Sequence, residues 1–412
     1  MFQSFFPRPR LFLISTILWL TVAVALWYTV GEGLGARFGL PPDAGEADPV
    51  LGLGYFVTPG FLWFYIYVAV FLSVFVAAWF ILSPHKYQWW SVVGSCMILL
   101  SSYFSVQVSV AINNWRRPFF DDVQQALGGK ADVTAAQLYW LTLIFAEIAF
   151  VWLAVYVVTR FFVSHYIFRW RTAMNDYYMS RWPEVRSIEG AAQRVQEDTM
   201  RFASIMEDLG SSAIESVMTL IAFLPVLAAL SVNVAEMPLV GHIPSPLLVA
   251  AIFWSVFGTA LLAVAGIKLP GLAFLNQRVE AAYRKELVYG EDDGERADPL
   301  TARELFHAVR KNYFRYYFHF AYFNVFRGMY IQADNIFAYL ILIPTIVAGK
   351  ITFGILQQVL TAFGQVSGSF QYLVGSWSTI IELQSVFKRL KAFEAAFEGK
   401  QLDAIEAAVA PK

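Results

Sequence analysis

Charge is scarce in this sequence: Asp, Glu, Lys and Arg make up only 15% of its 412 residues, where a soluble domain carries about 25%. Water is therefore not its main solvent. The charge present is balanced, 30 Lys and Arg against 31 Asp and Glu, so no basic excess exists to neutralise phosphates and nucleic acid is not an expected partner. Cysteine is almost absent. The single Cys96 cannot close a disulfide within the chain and lies in an apolar run, which fits a small buried apolar residue. Five histidines, at 85, 165, 242, 307 and 319, stand far apart and outside any HExxH or CxxC pattern, so no metal site is expected. A GxSxG motif is also missing, and nothing in the sequence points to an enzyme.

What is abundant is apolar surface, 58% of residues, with 17% aromatic. A helix needs about 20 apolar residues to cross ~30 Å of hydrocarbon. Leu11–Val30, Gly60–Leu82, Trp89–Ile112, Ser216–Val234, Pro246–Ile267 and Ile351–Ile381 contain no Asp, Glu, Lys or Arg. Val133–Thr159 contains only Glu147, and Gly328–Gly349 only Asp334. The expected fold is an all-α polytopic membrane protein with eight transmembrane helices. The first run follows Arg8 and Arg10 but is long and lacks a small-residue cleavage site, so it reads as an uncleaved helix.

Lys and Arg in short loops stay cytoplasmic. With the N-terminus inside, 25 of the 30 fall on the inner side, and Arg37, Arg116, Arg117, Lys130 and Lys350 on the outer. Both termini are expected in the cytoplasm. The outer loops also hold Glu32, Asp43, Glu46, Asp48, Asp121, Asp122, Asp132 and Glu236, a weak attraction for cations screened over ~8–10 Å.

Two inner loops are long, over residues 160–215 and 268–327, and both read as helix. A continuous helix from Gly190 to Val234 is roughly 67 Å long, about twice the hydrocarbon thickness, so the spans extend into the cytoplasm. Pro225 and Pro344 are expected to kink their helices. Residues 1–88 form two extra N-terminal spans, 89–387 a six-helix core and 388–412 a cytoplasmic tail. The six-helix rhythm is that of an ABC exporter's transmembrane domain, which encloses a cavity only when paired, so a homodimer is expected. A nucleotide-binding domain is not: the GK pairs at Gly129, Gly349 and Gly399 lack the GxxxxGK[ST] context. The chain is expected to use an ion gradient or a separate ATPase, with no ATP site or other cofactor of its own.

The segments MFQSFFPRP at 1–9, FFVSHYIFRWRTAMNDYYM at 161–179, IEGAAQRVQEDTMRFAS at 188–204 and GIKLPGLAFLNQRVEAAYRKELVYGEDD at 266–293 resemble the SbmA/BacA family of bacterial inner-membrane peptide transporters. KNYFRYYFHFAYFN at 311–324 and the GQV and FQYL patterns near 364–373 extend the likeness. The opening MFQSFFPRPR and the long acidic tail resemble the rhizobial members, the bacteroid-development proteins. The resemblance implies a homodimeric, proton-driven importer of antimicrobial, proline-rich and glycopeptide substrates and of host nodule peptides. QRVQED and EAAYR also resemble acyl-chain ABC half-transporters of peroxisomes, which keeps open an acyl-chain or lipid exporter working with a separate ATPase.

Proton coupling needs carboxylates whose affinity for a proton can change between environments. Gln193, Glu197, Arg201, Ser204, Asp208, Ser211 and Glu215 recur at steps of four and three, which is one helical face; Glu207 lies one residue off it. The competing reading is a solvated face braced by Arg194–Asp198 and Glu197–Arg201 pairs. In the second insertion Glu280 and Arg284 form another such pair, beside Glu286 and Glu291. The resemblance implies a ladder of glutamates along a cavity, and Glu197, Glu207, Glu280, Glu286 and Glu291 stand at matching positions. Gln193, Asp198, Asp208, Arg284, Glu147, Asp334 and Glu382 form a second tier. Glu147 is expected to be a buried, hydrogen-bonded or protonated side chain. The small and amide residues of Ile351–Ile381 suit close helix packing, or a wall that bonds to peptide backbone.

Overall fold

The structure is a computed structural model and describes residues 1–41, 50–129, 133–186, 188, 191–234, 237, 238, 241, 243–294 and 297–397. Asp43, Glu46, Asp48, Lys130, Asp132, Gly190, Glu236, His242 and the tail from 398 lie outside them. Ten helices of 21 residues or more are found among the described residues: α1 Pro9–Phe38, α2 Pro59–Leu82, α3 Trp89–Leu127, α4 Ala135–Ser180, α5 Ala191–Asn233, α6 Pro246–Gly266, α7 Leu269–Asp292, α8 Pro299–Val347, α9 Phe353–Gly375 and α10 Trp377–Phe397. No strand is present among them. Their starts are written in the sequence. Pro occupies the first turn of α1, α2, α6 and α8, where its missing N–H removes only a donor that has no helical partner. Thr58 accepts the Phe61 N–H at 3.3 Å, and Asp298 accepts those of Leu300 and Thr301.

Seven of these helices, α1 to α6 and α8, are long and apolar enough to cross a membrane. The eighth run, Ile351–Ile381, is helical as α9, but it carries four glutamines, at 357, 358, 365 and 371, and breaks at Ser376 before α10. Eight crossing helices remain consistent with this arrangement. Lengths follow the loop pattern: α4 has 46 residues, α5 43 and α8 49, which is roughly 64–74 Å each at 1.5 Å per residue. The outward faces are apolar too, as at Leu11, Ile14, Ile17 and Leu18 on α1 and Phe150, Val157, Val158 and Phe161 on α4. Such faces suit lipid and not water.

The chain divides into two compact units. The first comprises Met1–Phe223, Thr352–Ala362 and the chain from Leu383. Its core is aromatic. Phe5 stacks on Trp170 at 5.7 Å, Phe6 meets the same indole edge-on at 5.1 Å, and Phe202 of α5 closes on it at 5.2 Å. Offset and edge-to-face contacts of this kind add about 0.5–1.5 kcal/mol each beyond burial. A second cluster holds Phe56, Phe61, Val108, Trp115 and Ile148, where the Trp115 indole donates to the Leu141 carbonyl at 2.7 Å. Gly354 begins α9 against α3, with room for no side chain: a Cβ there meets the Arg117 carbonyl at 2.1 Å.

The second unit comprises Leu224–Ile351 and Phe363–Glu382. α7 and α8 form an antiparallel hairpin in which Asn312 donates to Asn276 at 2.5 Å and to the Leu272 carbonyl at 3.3 Å. α6 packs on α8 through Gly258, where a Cβ meets the Tyr330 ring at 2.0 Å.

Candidate functional site

In the first unit the acids gather on α5, and the helix departs from α geometry where they sit. Arg194–Asp198 and Met206–Gly210 are π-helical turns, a rare local form that recurs at functional sites. One carries Glu197 and Asp198, the other Glu207 and Asp208. Each π turn inserts an extra residue, so neighbouring acids leave the helix in different directions and meet different partners. The predicted stripe is found as the outer face: Gln193, Arg201, Ser204, Asp208 and Glu215 are exposed, while Val195, Phe202, Ala203 and Ile205 turn into the core.

Three kinds of carboxylate result. Asp198 is buried, at 1% exposure, and held by two guanidinium groups: Arg194 Nη1 reaches Oδ2 at 2.9 Å, and Arg389 of α10 donates from Nε and Nη2 at 2.7–3.2 Å. Such a fork fixes its partner both in charge and in geometry. Glu197 and Asp208 are paired near solvent, Glu197 with Arg201 at 2.8 Å and with the Gln193 amide at 3.0 Å, Asp208 with Arg160 at 3.5 Å. Glu207 differs from both. Its carboxylate accepts the Ser164 hydroxyl of α4 at 2.5 Å, and no cation pairs with it among the described residues.

The second unit holds Glu280, Glu286 and Glu291 on α7. Glu280 is exposed and makes no ion pair with Arg284 among the described residues, although the spacing predicted one; the Tyr313 ring of α8 lies near it. Glu286 accepts the Ala297 N–H at 3.3 Å. Glu291 and Arg284 are exposed, and Glu382 is half-buried.

Asp334 of α8 takes its hydrogen bonds from neutral donors among the described residues. Its Oδ1 accepts the Trp254 indole N–H at 2.7 Å and the Ser367 hydroxyl at 2.9 Å, and Gln371 donates to Ser367 at 2.8 Å and to Tyr330 at 3.3 Å. Glu147 is not the buried, hydrogen-bonded group expected. Ile148 takes the inward position on α4, and Glu147, about 100° away around the helix, is exposed, near Gly52.

Sequence reasoning missed Arg389, Ser164, Arg160 and Trp254, the residues that distinguish the acids. They lie far from their partners in the chain, up to 191 residues for Arg389 and Asp198, and no local spacing marks them. The π turns carry no sequence signal that periodicity detects.

Similarity to known proteins agrees with this architecture. Among curated proteins, the chain is 24% identical over 334 residues to YddA, an inner membrane ABC transporter ATP-binding protein of Escherichia coli, covering 75% of this chain and 58% of that one. It is 25% identical over 423 residues to an uncharacterised ABC transporter ATP-binding protein of Synechocystis, covering 95% and 59%. With ABC transporter D family member 2, chloroplastic, of Arabidopsis thaliana, identity is 24% over 304 residues, covering 70% and 40%. The chain thus spans less than three-fifths of the length of these relatives. The SbmA/BacA-like family model matches residues 84–398, more than half of the sequence. The protein is a multi-pass membrane protein, and the chain belongs to the SbmA/BacA-like family.

Proposed function

We propose that the protein imports peptides across the bacterial inner membrane as a homodimer, driven by protons, with both termini in the cytoplasm and no ATP site of its own. The observation that carries this reading is the contrast on α5. Asp198 is locked between Arg194 and Arg389, whereas Glu207 leans on the neutral Ser164 hydroxyl alone among the described residues. A carboxylate with a neutral partner can gain and lose a proton without breaking an ion pair, as a coupling group must. Glu207 is therefore placed first among the coupling residues. Glu197, Glu280, Glu286 and Glu291 complete the set.

The test is uptake of a dye-labelled proline-rich peptide by proteoliposomes containing the purified chain. An acidic exterior drives accumulation, and Glu207→Gln combined with Glu280→Gln lowers it at least tenfold while the protein elutes as the same folded dimer. Uptake indifferent to the pH gradient sinks the reading.

A second reading is transport of an acyl chain or lipid with a separate ATPase: the relatives' names say ABC transporter and ATP-binding, and the acyl-chain cargo comes from the likeness of QRVQED and EAAYR to peroxisomal half-transporters. Co-purification of an ATPase whose hydrolysis is stimulated by lipid supports that alternative over proton coupling.

A further inference from the structure

The first unit contains a cavity of about 180 Å³ among α1, α2 and α3, distant in sequence from the acids of α5. Trp27, Tyr55, Trp63, Phe64 and Tyr103 contribute its aromatic lining. One charged side chain reaches it, Glu32, which has no cationic partner among the described residues. The polar edges of several rings are already engaged. The Trp63 indole donates to the Gly31 carbonyl at 2.7 Å, and the Tyr55 hydroxyl donates to the buried Gln107 at 3.0 Å. What the cavity offers a ligand is thus ring surface and one carboxylate.

The backbone is built to bring these together. Trp27–Gly31 is a π turn, and the Glu32 N–H bonds to the Trp27 carbonyl. In an α-helix at about 100° per residue, positions 27 and 32 diverge by ~140°; the i→i+5 bond of a π turn places one above the other. A carboxylate and an indole that regular helix geometry separates therefore share one cavity.

We propose that this cavity binds an organic cation of the guanidinium or primary ammonium type, its N–H groups on Glu32 and its flat or alkyl part against the rings. Aromatic faces attract cations, and a carboxylate adds charge-assisted hydrogen bonds that a guanidinium can make in pairs. Quaternary ammonium has no N–H to donate, which sets the preference against a choline headgroup. The cavity lies below the ~300 Å³ at which drug-sized pockets begin, so it fits one headgroup and not a whole peptide. Only the identity of the carrier rests on the import reading: under it, the cation is a basic side chain or amino terminus of the peptide.

The experiment is saturation-transfer NMR on the full chain in nanodiscs, with Nα-acetyl-arginine amide as probe and its citrulline counterpart and choline as the other arms. The arginine probe is expected to bind, citrulline to give background transfer, and choline to compete at least fivefold more weakly. Glu32→Gln, which keeps the side-chain shape, raises the half-saturating concentration at least fivefold, and Trp27→Leu does the same while elution and melting match the parent. Equal binding of citrulline, stronger competition by choline, or an unchanged Glu32→Gln overturns the proposal. Binding with this pattern in a protein that shows no acid-driven uptake leaves the site standing and removes the import reading; proton-driven uptake with unchanged Glu32→Gln binding does the reverse.

Discussion

Replacing Arg389 tests whether Asp198 is held as a lock. Asp198 is 1% exposed, and Arg389 donates to both its oxygens, while its remaining Nη1 donates to Ser385 at 2.9 Å. Arg389→Met keeps the aliphatic stem and removes the fork, leaving a buried carboxylate with Arg194 alone. Breaking a fully buried pair costs about 3–5 kcal/mol. The Arg389 side chain is 33% exposed and Arg194 remains at 2.9 Å, so solvent screening and the surviving partner reduce this to about 2 kcal/mol. For a cooperative body of this size that is a fall of roughly 4–8 °C in the apparent Tm, read by tryptophan fluorescence in detergent. Lysine at 389 cannot reproduce the planar fork, and Arg389→Lys is expected to recover no more than half of the loss. The decisive comparison is a cycle with Asp198→Asn. Once the carboxylate is neutral, removing Arg389 leaves no buried charge unpaired, so the double variant loses at least ~1 kcal/mol less than the two single losses combined. Additivity within ~0.5 kcal/mol, or a fall under 2 °C for Arg389→Met, refutes the lock.

Asp298 caps α8, and the Thr301 side chain, followed by the Thr301 and Leu300 backbone N–H groups, holds its carboxyl below the usual range. A depressed folded pKa contributes stability that is present above the unfolded value and lost as pH falls through the folded one, so hydrogen exchange over 299–304 accelerates at acid pH, and Asp298→Ala abolishes that pH dependence. Gly258→Ala drives a methyl group into the Tyr330 ring and costs about 1–3 kcal/mol by overpacking; a thermal scan shows the loss, and adding Tyr330→Leu recovers most of it. Trp254→Phe keeps the stack on Phe337 at 3.9 Å but removes the donor at 2.7 Å from Asp334. It lowers stability by about 1–3 kcal/mol, whereas Trp254→Phe in an Asp334→Leu background has little further effect in the same scan.

The spans were legible because exclusion of charge over 20 residues is a strong requirement of lipid, and few other structures meet it. Seven of the eight runs appear as helices long and apolar enough to cross. The last was harder to read because Gln and Gly residues suit close packing as well as they suit a break, and its helix stops at Gly375. The polar face from Gln193 to Glu215 was legible from its period. Which acids on that helix matter was not, since this depends on partners 43 residues away for Ser164 and 191 away for Arg389. Local pairing was a fair guide inside α5, where Arg194–Asp198 and Glu197–Arg201 both form. It failed on α7, where Glu280 and Arg284 form no ion pair among the described residues.

The π turns connect these observations. Of the turns at Trp27–Gly31, Trp89–Gly94, Arg194–Asp198 and Met206–Gly210, three contain or directly precede an acid singled out above. A π turn gives up regular helical bonding for a changed side-chain direction, and such departures persist where the direction itself is used. On α1 the change sets Glu32 beside aromatic rings. On α5 it sends Asp198 inward to two arginines while Glu207, nine residues later in the next π turn, meets only a serine hydroxyl among the described residues. One helix thus carries one carboxylate held by two cations and another bonded to a neutral hydroxyl. If coupling depends on that contrast, giving Glu207 a fixed charge partner through Ser164→Arg abolishes acid-driven peptide uptake without unfolding the protein, whereas Ser164→Ala retains it.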